Sequence, residues 1–127
     1  MREIDGIGRT PTAGARRGDA DAASIVVLCT ANVCRSPMAA ALLARRLSGL
    51  GVTARVRSAG MLRGGDPPLP EVVSVIAGYG IDIAAHRSRV ACAAELTCAS
   101  LVLAMGRDSL RYAVVTEPGA WPRAFTL

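Results

Sequence analysis

The sequence predicts an α/β fold in which helices cover both faces of a parallel β-sheet. Two observations support this prediction: strand-type and helix-type segments alternate along the chain, and the first strand runs directly into a loop of the kind that binds anions. Apolar residues make up 51% of the 127 residues but aromatic residues only 3%. We therefore expect one small domain whose core consists of Ala, Val, Leu and Ile.

Strands and helices are predicted from apolar periodicity and from proline and glycine punctuation. Short apolar or alternating runs predict strands at 24–29, 52–58, 101–105 and 123–127. Longer runs predict helices at 37–48, 70–79, 90–98 and 108–115. Asp108 is predicted to cap the last helix, and the sequence Glu117-Pro118-Gly119 indicates a turn.

A cysteine and an arginine bracket the loop that follows the first strand. Its residues are Cys29, Thr30, Ala31, Asn32, Val33, Cys34 and Arg35. At the junction of a strand and a helix, backbone N–H groups and the helix dipole favour an anion, and the same field favours the thiolate form of Cys29. Ser36 is predicted as the N-cap of the helix, with Pro37 at its first position. The alternative is a buried, inert cysteine at the end of a strand.

The segment IVVLCTANVCRSPMAAALL resembles the signature of the low molecular weight protein tyrosine phosphatases. Three further segments resemble this family in the family's order, at 57–60, 80–89 and 101–105. The resemblance covers residues 24–127. It implies a three-layer α/β/α fold with a four-stranded parallel sheet (phosphotyrosine protein phosphatase I-like). We expect no cofactor, and we expect no metal site because a zinc site needs closer ligand spacing and the chain has one His.

The resemblance also assigns roles to residues of the loop. Cys29 would attack phosphorus and form a cysteinyl-phosphate, and Arg35 would hold two equatorial oxygens with its guanidinium fork. Ser36 would donate a hydrogen bond to the thiolate. The phosphate-binding positions would be Thr30, Ala31, Asn32, Val33, Cys34, Arg35 and Ser36. Asn32 is interpreted either as a residue in the left-handed backbone conformation or as an ordinary loop asparagine. Cys34 is interpreted either as a reversible disulfide partner of Cys29 or as a small buried side chain.

The family's general acid, an Asp followed by Pro near the C-terminus, has no match before Leu127. The one Asp-Pro pair here, Asp66-Pro67, lies in a Gly/Pro loop at 59–69 and is not assigned this role. We expect this loop, with Met61 and Leu62, to form an apolar wall beside the phosphate site. We also expect the family's last helix to be missing, leaving an apolar patch on the sheet, and hydrolysis of poor leaving groups to be impaired.

The net charge of +5 arises within 24–127, because the four arginines and four acidic residues of the segment 1–23 cancel. A basic domain fits an anionic substrate. The sequence does not alternate lysines with aromatic residues in the way typical of nucleic-acid binding, so we expect no nucleic-acid partner.

We interpret 1–23 as a flexible extension. With no membrane-length apolar run and no signal peptide, a cytoplasmic location is expected. Cys92 and Cys98 are predicted to be small core residues, and His86 a structural or exposed loop residue.

These observations favour a phosphatase that acts on phosphotyrosine or another aryl phosphate. The oligomeric state is left open. One alternative is a non-catalytic phosphate-binding domain or fragment. A less favoured alternative is an arsenate reductase with the same loop. That chemistry needs resolving cysteines after the third strand, whereas Cys92 and Cys98 precede it and Met105 occupies the expected place.

Overall fold

Four parallel strands form one sheet in the computed structural model, which describes residues 22–127. The strands are β1 (Ala23–Leu28), β2 (Ala54–Ala59), β3 (Leu101–Ala104) and β4 (Ala124–Thr126), in the order β2-β1-β3-β4. β1 therefore lies between β2 and β3, where the strand order reverses. Apart from its last two residues, the extension predicted at 1–23 lies outside the described residues.

The helices follow the predicted order. They are α1 (Arg35–Gly49), α2 (Pro70–Ala77), α3 (Ala93–Cys98) and α4 (Arg107–Thr116), followed by a 3₁₀ helix (Pro118–Arg123). The short helix α3 starts later than predicted, because Val90 forms a parallel bridge with Gly60 instead of a helical turn. The turn predicted at 117–119 leads into the 3₁₀ helix, where the Glu117 carboxylate accepts a hydrogen bond from the Gly119 N–H at 2.8 Å.

Two predicted helix caps are wrong. Helix α1 begins at Arg35 after Cys34, so Ser36 is its second residue and its side chain is buried. Helix α4 begins at Arg107 after Gly106, so Asp108 lies in the first turn and makes no side-chain cap. At that position the Asp108 carboxylate is favoured by the helix dipole rather than by a capping hydrogen bond.

The core has two parts, one on each face of the sheet. On one face, Ile25 and Val27 of β1 pack with residues of α1. On the other face, α3, α4 and the 3₁₀ helix pack over a cluster rich in alanine: Val26, Leu28, Ala59, Ala91, Leu96, Ala99, Val102, Ala113, Ala120 and Ala124. The prediction of a core built from Ala, Val, Leu and Ile is confirmed.

Apolar side chains at the β4 edge remain exposed on the α1 face. Phe125 pairs in register with Leu103, whose side chain packs in the α1-face cluster, so Phe125 points to the same face. Phe125 is 54% exposed and Leu127 is 70% exposed. This is the location of the apolar patch expected from the sequence. Within residues 22–127, no helix has both the length and the apolar character needed to span a membrane.

Candidate active site

The loop of residues 29–35, here called the cysteine loop, leaves the carboxyl end of β1 and enters α1. It lies between the ends of β2 and β3, where the strand order of the sheet reverses. Open parallel sheets bind their ligands at this position. The loop therefore brings all of the predicted site residues to the place where a parallel sheet favours a binding site.

Hydrogen-bond donors surround the sulfur of Cys29, which is only 2% exposed. The backbone N–H of Asn32 lies 3.3 Å from Cys29 Sγ and that of Ser36 lies 3.4 Å away. Ser36 Oγ lies 3.0 Å from the same sulfur. Ser36 Oγ also accepts a hydrogen bond from Asn32 Nδ2 at 2.8 Å, so its own hydrogen can be donated either to the sulfur or to the Ala59 carbonyl oxygen at 3.4 Å, and the sulfur is the nearer of the two. The sulfur is thus held in a fixed position at the start of the loop.

Other N–H groups of the cysteine loop are available to an anion. The backbone N–H groups of Ala31, Val33, Cys34 and Arg35 have no acceptor within residues 22–127. The exposed Arg35 side chain donates from Nη2 to Thr30 Oγ1 at 3.3 Å, so the guanidinium reaches back to the start of the loop. Several N–H donors and one guanidinium in a loop this short can surround a tetrahedral oxyanion.

Asn32 holds the cysteine loop in shape. Its φ of 60° confirms the left-handed conformation predicted from the sequence, and its side chain is fully buried. Asn32 Nδ2 donates to Ser58 Oγ at 3.0 Å as well as to Ser36, and Asn32 Oδ1 accepts from the Arg89 N–H at 3.0 Å. The interpretation as an ordinary loop asparagine is therefore wrong.

His86 supports the same loop from outside. Its Nε2 lies 2.8 Å from the Asn32 carbonyl oxygen, and because a carbonyl only accepts, Nε2 carries the hydrogen. This contact confirms the structural role predicted for His86 as one of two alternatives. The sequence does not identify Ser58, His86 and Arg89 as partners of Asn32. The sequence feature that could have identified them is that all three lie in segments that resemble the family.

The Gly/Pro loop at 59–69 is attached to the cysteine loop at two points. The Met61 N–H donates to the Thr30 carbonyl at 2.8 Å, and the Leu69 N–H donates to the Val33 carbonyl at 3.0 Å. These bonds place the loop beside the cysteine loop, as predicted, with the Leu62 side chain 51% exposed. Asp66 lies 3.5 Å from Arg63 Nη2, so its carboxylate already has a cationic partner.

The remaining cysteines differ from their prediction in part. Cys34 is a half-buried free thiol. Cys92 and Cys98 are exposed and line one groove, so the prediction of small core residues is wrong. Cys92 precedes α3 in extended conformation, and Cys98 is the last residue of that helix. Within the described part of the chain, no three His, Cys, Asp or Glu side chains are grouped as metal ligands.

Comparison with known proteins connects this geometry to one family. A family model described as low molecular weight phosphotyrosine protein phosphatase matches residues 24–119. The probable low molecular weight protein-tyrosine-phosphatase EpsP of Ralstonia solanacearum is 38% identical over 105 residues, which are 82% of this chain and 70% of that protein. A protein-arginine-phosphatase of Geobacillus stearothermophilus is also 38% identical over 105 residues, 81% of this chain and 68% of that protein.

Solved structures agree with these sequence relationships. The low molecular weight protein tyrosine phosphatase from T. tengcongensis superposes with a TM-score of 0.77 at 36% identity, covering 83% of this chain and 73% of that one. The chain spans between 54% and 70% of the lengths of the curated relatives it matches. The matched region contains the cysteine loop and its supports, and the chain belongs to the low molecular weight phosphotyrosine protein phosphatase family.

Proposed function

We propose that this chain hydrolyses phosphotyrosine in proteins through a phosphoryl group carried on Cys29. The observation that supports this most directly is the set of donors around Cys29 Sγ, next to N–H groups that have no acceptor among the described residues. Phosphoryl transfer depends mainly on positioning and charge stabilisation, and this arrangement supplies both. The basic net charge of +5 agrees with an anionic substrate.

In the first proposed step, Cys29 Sγ attacks phosphorus and the bond from phosphorus to the tyrosine oxygen breaks. The leaving oxygen departs as a phenolate and takes its proton from water, because no side chain is assigned as the donor. Arg35 and the free N–H groups of the cysteine loop would hold the equatorial oxygens throughout. An arginine suits this role better than a lysine, because its planar fork binds two oxygens at once.

In the second proposed step, water attacks the cysteinyl-phosphate, the bond between phosphorus and sulfur breaks, and phosphate leaves. The departing sulfur regains negative charge as the bond breaks. Ser36, whose Oγ lies 3.0 Å from that sulfur, would stabilise this charge by donating its hydrogen. Ser36 is thus proposed to favour breakdown of the intermediate more than its formation.

The proton donor for the first step is not assigned to Asp66, since that carboxylate pairs with Arg63. A missing general acid typically costs about 10²–10⁴-fold in rate, and the cost falls on poor leaving groups. We therefore propose that the 127-residue chain cleaves an activated nitrophenyl ester much faster than a tyrosine ester.

The test is hydrolysis of p-nitrophenyl phosphate and of a phosphotyrosine peptide by the 127-residue chain. Cys29→Ser and Arg35→Ala should abolish turnover of both substrates, while the matched control Cys98→Ser should leave it unchanged. Turnover of the nitrophenyl ester alone would indicate a sound nucleophile and phosphate-binding loop without a general acid, and would contradict hydrolysis of phosphotyrosine by the 127-residue chain. If the folded chain turns over neither substrate but binds orthovanadate, the phosphatase proposal fails and a phosphate-binding domain replaces it.

A second candidate substrate is phosphoarginine. The observation that favours it is the 38% identity to the protein-arginine-phosphatase of Geobacillus stearothermophilus. Assay of a phosphoarginine peptide beside the phosphotyrosine peptide decides between the two, because the larger kcat/KM identifies the preferred bond. We further propose a cytoplasmic location, where reducing conditions keep Cys29 a free thiol, and no nucleic-acid partner.

A further inference from the structure

The outer edge of β2 has free backbone groups. The Ala59 carbonyl accepts a hydrogen bond from the Cys29 N–H at 3.3 Å, so the backbone of Ala59 faces β1. Backbone groups alternate in direction along a strand, so those of Val56 and Ser58 face away from β1. Since β2 ends the strand order of the sheet, they face the free edge.

The carboxyl end of this edge already accepts a parallel segment. The Gly60 N–H donates to the Arg89 carbonyl at 2.8 Å, and the Ala91 N–H donates to the Gly60 carbonyl at 3.0 Å. The pairing stops there, because Ser88 turns away to bond with the backbone of Asp66. Within residues 22–127, the outward N–H and C=O groups of Val56 and Ser58 have no partner. An unpaired edge is a template for another strand.

Two grooves lie beside the free edge of β2. The groove on the α1 face has a volume of about 340 Å³, and its wall includes Ala40, Ala41, Ala44 and Val56. The groove on the opposite face has a volume of about 410 Å³, and its wall includes Cys92 and Cys98. Side chains of an added strand alternate between the two faces of a sheet, so each groove would receive every second side chain.

The charge along this edge is positive. Arg57 and Arg89 line both grooves, and Arg87 lines the groove on the α1 face. Arg89 pairs with Glu95, whereas the guanidinium groups of Arg57 and Arg87 have no carboxylate partner within the described residues. Two copies of this edge would repel each other, since arginines would face arginines, but an acidic strand would be attracted.

We propose that the β2 edge binds an extended acidic segment of a partner protein as a fifth strand. Its backbone would pair with Val56 and Ser58, its acidic side chains would lie near Arg57, and its small apolar side chains would fill the groove on the α1 face. Neither Cys29 nor Arg35 lines either groove, but Ser58, His86 and Arg89, which contact Asn32, line the groove on the α1 face.

Binding is measured by fluorescence anisotropy with a labelled peptide of alternating glutamate and valine. Added salt should weaken the binding, and a peptide of alternating lysine and valine should not bind. Arg57→Gln should weaken the affinity about two- to fivefold, while the matched control Arg111→Gln, on the exposed side of α4, should leave it unchanged. Equal effects of the two arginine variants would overturn the proposal.

The backbone pairing is tested separately. Val56→Pro removes an N–H that faces away from β1 and so spares the pairing with that strand, yet it should weaken peptide binding about tenfold. Two N-methylated forms of the peptide, blocked on alternate residues, test the same pairing without changing the protein. One form should lose binding and the other keep it, and equal effects of the two forms would overturn the proposal. Displacement of the peptide by orthovanadate would also overturn it, because the peptide would then occupy the cysteine loop.

Discussion

Replacing Asn32 with alanine tests the structure of the cysteine loop most directly. The Asn32 side chain is fully buried and takes part in three hydrogen bonds, with Ser36 Oγ at 2.8 Å, Ser58 Oγ at 3.0 Å and the Arg89 N–H at 3.0 Å. Its backbone φ of 60° lies in the left-handed region, which a residue with a plain Cβ disfavours. Asn32→Ala therefore removes the hydrogen bonds and adds a conformational cost.

The size of the effect follows from these contacts. Three buried hydrogen bonds at about 1 kcal/mol each contribute about 3 kcal/mol, and the left-handed backbone adds about 1 kcal/mol. Asn32→Ala should thus lower the free energy of unfolding by about 4 kcal/mol. Asn32→Gly loses the same hydrogen bonds but adopts this φ without steric cost. Its greater freedom in the unfolded chain costs about 0.5–1 kcal/mol and offsets most of the steric cost of about 1 kcal/mol that it avoids. The glycine variant should therefore be more stable than the alanine variant by up to about 0.5 kcal/mol.

Urea unfolding of the three proteins measures both differences. The rate of p-nitrophenyl phosphate hydrolysis should also fall in both variants, since the Asn32 N–H is one of the donors to Cys29 Sγ. A loss of less than about 1 kcal/mol in both variants would refute the role of the hydrogen bonds. An alanine variant at least as stable as the glycine variant would refute the cost assigned to the left-handed backbone.

Three further substitutions test other parts of the site and the core. Ser36→Ala removes the hydroxyl near Cys29 Sγ and should lower kcat about 10–100-fold. Because breakdown of the cysteinyl-phosphate is slowed more than its formation, the initial burst of nitrophenol should become larger. An unchanged burst would contradict the proposed second step. Gly60→Ala places a Cβ 2.8 Å from the Thr30 carbonyl oxygen, so nitrophenyl phosphate turnover should fall, whereas Gly49→Ala, which meets nothing within 4 Å, should keep it. Leu96→Ala, at a fully buried position, should cost about 2–5 kcal/mol of unfolding free energy, measured in urea.

The part of the site that lies within one stretch of sequence is predictable. An apolar run followed by Cys29 predicts β1 and the loop at its end, and Asn32 is a residue type that tolerates a left-handed φ. The position of Ser36 is not predictable in the same way. Pro37 favours the first turn of a helix, but α1 starts two residues earlier, at Arg35, and this turns Ser36 toward the sulfur of Cys29 instead of the helix end.

The supports of the cysteine loop come from distant parts of the chain. Ser58, His86 and Arg89 contact Asn32 across separations of 26, 54 and 57 residues. Patterns of local periodicity carry no information about such pairs, because each contact depends on how β2 and the following loop are packed against β1. The open edge of β2 is unpredictable for the same reason, since it depends on strand order.

The strand order also determines when the site can form during folding. β1 pairs with β2 after the α1 crossover, but its pairing with β3 joins residues far apart, as in the hydrogen bond from the Ser100 N–H to the Ser24 carbonyl at 2.7 Å. Long-range parallel pairing is slow because a long loop must close first. During synthesis, the carboxyl end of β1 therefore has a neighbouring strand on one side only until Leu101–Ala104 arrives. The Cys29 thiol is made early and enclosed late, so we expect oxidants to reach it more readily in the newly made chain than in the folded one.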